Sequence, residues 1–191
     1  VVPHERHYFR GGAEVGGVLA VGFVNYLLFT AAAGGLVRQG DQKWALRYDW
    51  PELRAKLVGT GYELDVNNYS TNYVWHPFAG TNYFHVARSS HLSFIESAVF
   101  ATLGSSIWEF FGEIREKVSV NDMIVTPVAG TAIGETTMQL SGFFTRSRHD
   151  KIHNKVLAVV FSPVKAVNDI FDGGVPRRAP EEETDPVFGF P

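Results

Sequence analysis

The chain holds 191 residues, enough for one ordinary domain with a sizeable core. Hydrophobic residues make up 45% and charged residues 19%, with 15 Phe, which excludes a disordered polar chain and favours buried or lipid-facing surface. A net charge of −3 without a basic run argues against a nucleic-acid partner, and the absence of Cys excludes a disulfide scaffold and a thiolate metal site.

The chain opens at Val1 rather than Met, as expected of a processed product that has shed a signal peptide. Val15 to Val37 carries no charged residue, and Asn25 is its one strongly polar side chain. Two readings fit this run: a membrane span, or a central helix buried by its neighbours. Gly12 with Gly16 and Ala13 with Gly17 give a small-residue spacing that permits close helix contact. Pro51 and Glu52 begin a short helix, Leu53 to Val58, with Gly59 as its left-handed stop. Tyr62 to Tyr69 reads as extended or loop. His76-Pro77-Phe78-Ala79-Gly80 reads as a turn, because Pro77 disfavours a helical His76, and a short helix follows from Thr81 to Arg88.

Ser93-Phe94-Ile95-Glu96 is a capping box that opens the strongest helix, Phe94 to Lys117. Its apolar residues recur at helical spacing through Val99, Phe100, Leu103, Ile107, Phe110, Phe111 and Ile114. Ser119 and Asp122 are expected to cap a short turn through Val125, and Thr126-Pro127 to restart a helix as far as Phe144. Ser162-Pro163 repeats that start signal, and Gly173 ends the last helix. Residues 174–191 carry Pro and the acidic run Glu181-Glu182-Glu183, the composition of a mobile tail or linker. The expected fold is all-α: a compact bundle of about four main helices plus short ones over 1–173.

Polar residues inside these apolar helices are the candidates for chemistry. The long helix places Thr102, Ser105, Ser106, Glu109, Gly112, Glu113 and Glu116 along one side. Glu109 and Glu113, four apart, share a face. Two neighbouring carboxylates repel unless protonated, paired or bound to a cation, so they suit acid–base work or binding a metal together with a histidine; Arg88 or Arg115 would pair them in a merely structural role. His76, His85 and His91 lie close in sequence, but no pair has the HExxH spacing, and no metal or other cofactor is expected. His149 and His153 read as surface residues. Glu135, among small and apolar residues, calls for a partner such as Arg88 or a histidine if buried, and otherwise sits on the bundle rim. The chain has no phosphate loop, no dinucleotide-binding glycine fingerprint and no Gly-x-Ser-x-Gly elbow. Ser147 to Asp150 has the basic, His-rich character of phosphatase motifs without their spacing.

The run Asn72-Tyr73-Val74-Trp75-His76-Pro77-Phe78-Ala79-Gly80, then Ala87-Arg88, Gly104-Ser105, Trp108-Glu109, Glu113, Ser119-Val120-Asn121-Asp122-Met123-Ile124-Val125-Thr126-Pro127, Gly130 and Gly134-Glu135, resembles the bacterial domain-of-unknown-function family numbered 3943. The likeness runs from about residue 10 to 173. It implies an exported envelope protein of Gram-negative bacteria, in the periplasm or at the outer membrane. It also marks Arg88, Asn121 and Asp122 as binding candidates, and it assigns no activity. The expected role is a non-catalytic, membrane-associated structural or assembly module. Its partners would be membrane lipid or a membrane protein, as an oligomer or a subunit of a larger complex. The alternative is a lipid- or envelope-modifying hydrolase drawing on His76, His85, Glu109, Glu113 and Glu135.

Overall fold

A computed structural model describes residues 5–32, 50–64, 69–113, 116–147 and 151–173. The chain is all-α, with one two-residue strand pair among the described residues. It divides into two compact units, Val1–Gly134 and Glu135–Pro191. Arg115, His149, the end of the charge-free run beyond residue 32 and the 174–191 tail lie outside the described residues.

In the first unit, α1 (Tyr8–Ala32) packs along α3 (His76–Ser89) and α4 (Phe94–Ile107). Only Gly11 and Val15 of α1 are buried among its described side chains, so α1 is not a central helix enclosed on all sides. Gly16 and Gly17 have no neighbour within 4 Å of where a side chain would begin, so their spacing is not used for close contact. The helix α2 (Trp50–Leu57) ends at Gly59, whose φ of +79° is the left-handed stop read from the sequence. Tyr62–Glu63 (β1) then pairs in parallel with Val118–Ser119 (β2).

His76 to Gly80 is not a turn. A π-helical turn, Thr71–Trp75, runs directly into α3, and His76 is helical at φ −64°, ψ −49°. The wider turn lies where the Pro77 ring would crowd the carbonyl four residues back, and it takes up the extra residue there. The capping box of α4 forms as read: Ser93 accepts from the Glu96 amide, and Glu96 accepts from the Ser93 amide. The helix stops short of Lys117. It passes into a second π-helical turn, Trp108–Gly112, and Glu113 leaves helical geometry at φ −92°, ψ 60°.

The separate turn and restart expected around Thr126-Pro127 are also absent, because α5 runs unbroken over Val120–Thr145 with Pro127 inside it. Around that proline α5 packs against α3. Thr126 and Gly130 meet α3 at Gly80, where an added Cβ would lie 1.9 Å from the Thr126 carbonyl oxygen. No side chain fits at Gly80 or Gly130, so here the two backbones touch. Gly104 and Gly134 make similar room for the rings of Tyr83 and Phe84. Phe84, Ala87, Leu92, Ala101 and Val118 form the dry part of this core.

The second unit holds the rest of α5 with α6 (Ile152–Phe161) and α7 (Pro163–Phe171). The Ser141 hydroxyl donates to the Ala158 carbonyl at 2.8 Å, and Phe144 stacks on Phe161. Ser162 caps α7 by accepting from the Lys165 amide, and Gly173 closes it at φ +84°.

Candidate functional site

The first turn of α3, the π-helical turn that follows α4 and the first turn of α5 bring polar groups together in the first unit. Each is fixed by local structure. Ser119 caps α5 by accepting from the Asp122 amide at 3.2 Å, which sets Asp122 in the first turn, where the helix dipole favours its charge. The Ser119 amide in turn donates to Glu109 Oε2 at 2.9 Å. His76 Nε2 lies 3.4 Å from Asp122 Oδ2, and His76 Nδ1 is 3.2 Å from the Thr126 hydroxyl, one turn beyond Asp122 on α5. Asn121 ties the group together, accepting from the Ser119 hydroxyl and donating to Asp122 Oδ1 at 3.3 Å. One ligand-type atom from each of His76, Glu109 and Asp122 lies within 4.8 Å of the other two. Glu109 and Asp122 are almost wholly shielded, and 12% of the His76 side chain is exposed.

Lys56 of α2 reaches under this group and is itself completely buried. Its ammonium donates to the main-chain carbonyls of Glu109 and Glu113, each at 2.6 Å. The Glu109 carbonyl lies in the π-helical turn that ends the α4 segment and the Glu113 carbonyl just past it, where it also accepts from the Glu116 amide, so Lys56 serves as a C-terminal cap. Burial pushes Lys56 below its usual value, and the Glu113 and Glu109 charges pull it back up. Burial raises the Glu109 carboxyl to about 7, with the Ser119 amide opposing and the Asp122 charge assisting. Burial, then the neighbouring Glu109 charge, raises Glu113 to about 8. Trp108 Nε1 donates to Glu113 Oε1 at 3.1 Å. The Tyr83 hydroxyl is pushed up by burial and by Glu109.

The arrangement therefore unites His76, Glu109 and Asp122, with Glu113 one turn from Glu109. It can hold a proton between an imidazole and carboxylates, and it offers mixed nitrogen and oxygen donors to a cation. The other candidates are placed differently. His85 is buried with Nε2 3.0 Å from the Gly134 carbonyl oxygen. Arg88 donates to the Leu92 carbonyl. Glu135, in the second unit, is half-buried and accepts from Gln139 at 2.6 Å. Thr102 is exposed and Ser106 donates back to its carbonyl, while Glu116 accepts from Tyr26, so the polar residues of the long helix do not share one face. His153 is exposed, as read. Sequence reasoning missed Lys56 and Thr126. A lysine four residues after Glu52 on an amphipathic helix reads as a surface ion pair, and nothing local links it to a helix end 53 positions away.

A family model described as a domain of unknown function (DUF3943) matches residues 61–164, a little over half of the chain. It includes His76, Glu109, Glu113 and Asp122. No curated protein and no solved structure matches the chain.

Proposed function

We propose that this chain, which belongs to the DUF3943 family, is a non-catalytic, membrane-associated structural or assembly module of the bacterial cell envelope, at the periplasmic face or the outer membrane. The supporting observation is the polarity of α4. Ile95, Val99, Leu103, Ile107 and Phe111 follow one another at four-residue steps, and every one is exposed, Ile95 at 68% and Leu103 at 52%. The buried side of the same helix carries Ser97, Ala101, Gly104 and Ser105. A helix of a water-soluble bundle turns its large apolar residues inward. Here small and polar groups face inward and the oily ridge faces out.

The pattern extends through the first unit. Val21, Val24 and Leu28 of α1, Phe78 of α3, and Ile124, Val128 and Ile133 of α5 are exposed as well. A single protein partner covers one patch. Apolar surface on four helices suits lipid, which wets every side. Exposed Trp50, Tyr62, Tyr69, Tyr73 and Trp75 are the residue types that settle at a bilayer–water boundary. Over Tyr8–Leu28, α1 also meets the length and composition of a bilayer-crossing helix. The hydrolase alternative also draws on His85, whose Nε2 lies 3.0 Å from the Gly134 carbonyl oxygen, and on Glu135, which accepts from Gln139.

Vesicle flotation tests the proposal. The purified chain is expected to rise with phosphatidylethanolamine and phosphatidylglycerol vesicles. The double substitution Leu103→Asp with Ile107→Asp should cut the floated fraction by about tenfold or more, since each side chain loses on the order of 2 kcal/mol of apolar transfer. A chain that stays monomeric and dispersed without detergent and ignores vesicles would sink the idea.

A further inference from the structure

Two shielded carboxylates facing one imidazole pose a chemical question that membrane association leaves open: what sits between them. His76 Nε2 and Asp122 Oδ2 are 3.4 Å apart. Charge-assisted hydrogen bonds between nitrogen and carboxylate close to about 2.7–2.9 Å, so this pair is too far apart for a good direct bond. The spacing has another match. A tetrahedral ion with nitrogen and oxygen ligands at about 2.1 Å separates adjacent ligands by about 3.4 Å.

The surroundings also suit ligation. Metal-bound histidines have their second nitrogen held by a hydrogen bond, which fixes the ring. Here Thr126 lies 3.2 Å from Nδ1 and leaves Nε2 aimed at the carboxylates. Glu109 is positioned by the Ser119 amide on one oxygen, and Asp122 by Asn121 on Oδ1, the oxygen turned away from His76. Lys56 spends its ammonium on two main-chain carbonyls and so is engaged apart from the carboxylate oxygens. The three groups come from three separate segments, and the partly exposed edge of His76 gives an ion a way in.

We propose that His76 Nε2, Asp122 Oδ2 and a Glu109 carboxylate oxygen ligate one first-row divalent ion, with Zn2+ preferred, and that water completes a fourth position. One imidazole with two carboxylates favours Zn2+ over Mg2+ and Ca2+, which take oxygen ligands, and Zn2+ outranks Mn2+ at mixed nitrogen–oxygen sites. The ion would pin the start of α3, the end of the α4 segment and the start of α5 to one point. This inference stands apart from the membrane reading, and either can fail without the other.

The test uses the full, untagged chain, stripped with chelator, reloaded with Zn2+ and desalted, then assayed for metal. About one ion per folded chain is expected, and Co2+ in its place should give the visible absorption of a tetrahedral nitrogen–oxygen site. Thr126→Val should weaken uptake by roughly 10–100-fold through loss of the ring's support. His76→Gln and Asp122→Asn, which keep side-chain volume, should weaken it beyond the roughly hundredfold limit of that second-shell effect. His153→Gln should change nothing. Two results would overturn the site: no stoichiometric uptake by the folded wild-type chain, which leaves a proton shared by His76 and Asp122, or uptake that survives both His76→Gln and Asp122→Asn. If those two variants do not fold, the wild-type stoichiometry and the Co2+ spectrum decide.

Discussion

At the N-terminal end of α4, Glu96 is an ionised carboxylate in near-ideal surroundings; at the C-terminal end of the same segment, Glu109 and Glu113 are carboxyls that resist ionisation. Glu96 sits in the first turn, at the positive end of the helix dipole, and accepts from the Ser93 amide, the Tyr8 hydroxyl and Arg6. Hydrogen bonds from Tyr8 and Ser93, with the Arg6 charge, lower it to about 2. Glu109, buried, and Glu113, half-buried, occupy the negative end and rise to about 7 and about 8. The side chains are chemically the same. Position along the dipole, access to water and the count of donors separate them. The difference suggests a division of labour: the N-terminal end anchors α1 to α4 in solvent, and the C-terminal end stores groups whose charge depends on what else is bound.

The comparison can be broken most severely at Lys56. Lys56→Met removes the buried ammonium and its hydrogen bonds to two helix-end carbonyls, and takes a cation away from Glu109 and Glu113. Breaking a buried charge group from one side costs on the order of 3–5 kcal/mol. Thermal unfolding by circular dichroism should fall by about 10 °C for a chain of this size. An unchanged midpoint would mean that the helix end is not capped as described.

A pH series sharpens the contrast. Folded Glu113 keeps its proton up to about 8, while the unfolded chain releases it near the ordinary 4.5. The folded state therefore binds more protons across that interval, and stability falls as pH rises through it. Glu113→Gln should flatten the fall between pH 5 and 8, seen as a smaller drop in unfolding midpoint. Glu96 has the opposite sign. Its folded value lies near 2 against 4.5 when unfolded, so its contribution is present above about pH 4.5 and is lost as pH falls toward 2. Glu96→Gln should lower the midpoint slightly at pH 7, with the gap to wild type closing at pH 2. This is the smallest effect, because the group is solvent-screened.

These two ends also separate what a sequence reveals from what it conceals. The capping box is written within four consecutive residues, Ser93 to Glu96, and it forms as read because both partners are set by one helical turn. The apolar spacing after it identifies the helix but not its outward direction, since periodicity alone does not say which side meets solvent. The prolines mislead for the opposite reason. Pro77 and Pro127 carry strong local signals for a boundary, and both lie within continuous helical segments, because a π-helical turn precedes one and the Gly80–Gly130 contact braces the other. His76, Glu109 and Asp122 each stood out singly, as one of three histidines close in sequence, one of a carboxylate pair and a family-marked position. Their meeting depends on two connections, from α3 to α4 and from the end of the α4 segment to α5. Lys56 carries no local mark and Thr126 only that of a helix start, as their roles exist through partners about 50 positions away.

Two π-helical turns flank the cluster, Thr71–Trp75 just before His76 and Trp108–Gly112 around Glu109. Each such turn inserts one residue without adding a full helical revolution, so whatever follows is swung about 100° round the axis relative to an unbroken α-helix. His76 takes its aim from α3, which is anchored downstream at Gly80, Tyr83 and Phe84, so the offset at 71–75 acts on the residues before it, much as a shim sets the angle of a bolt. The loss of one amino acid from 71–75 would leave α3 and its imidazole in place and turn the side chains of Tyr69 and Ser70 about a quarter of the way round.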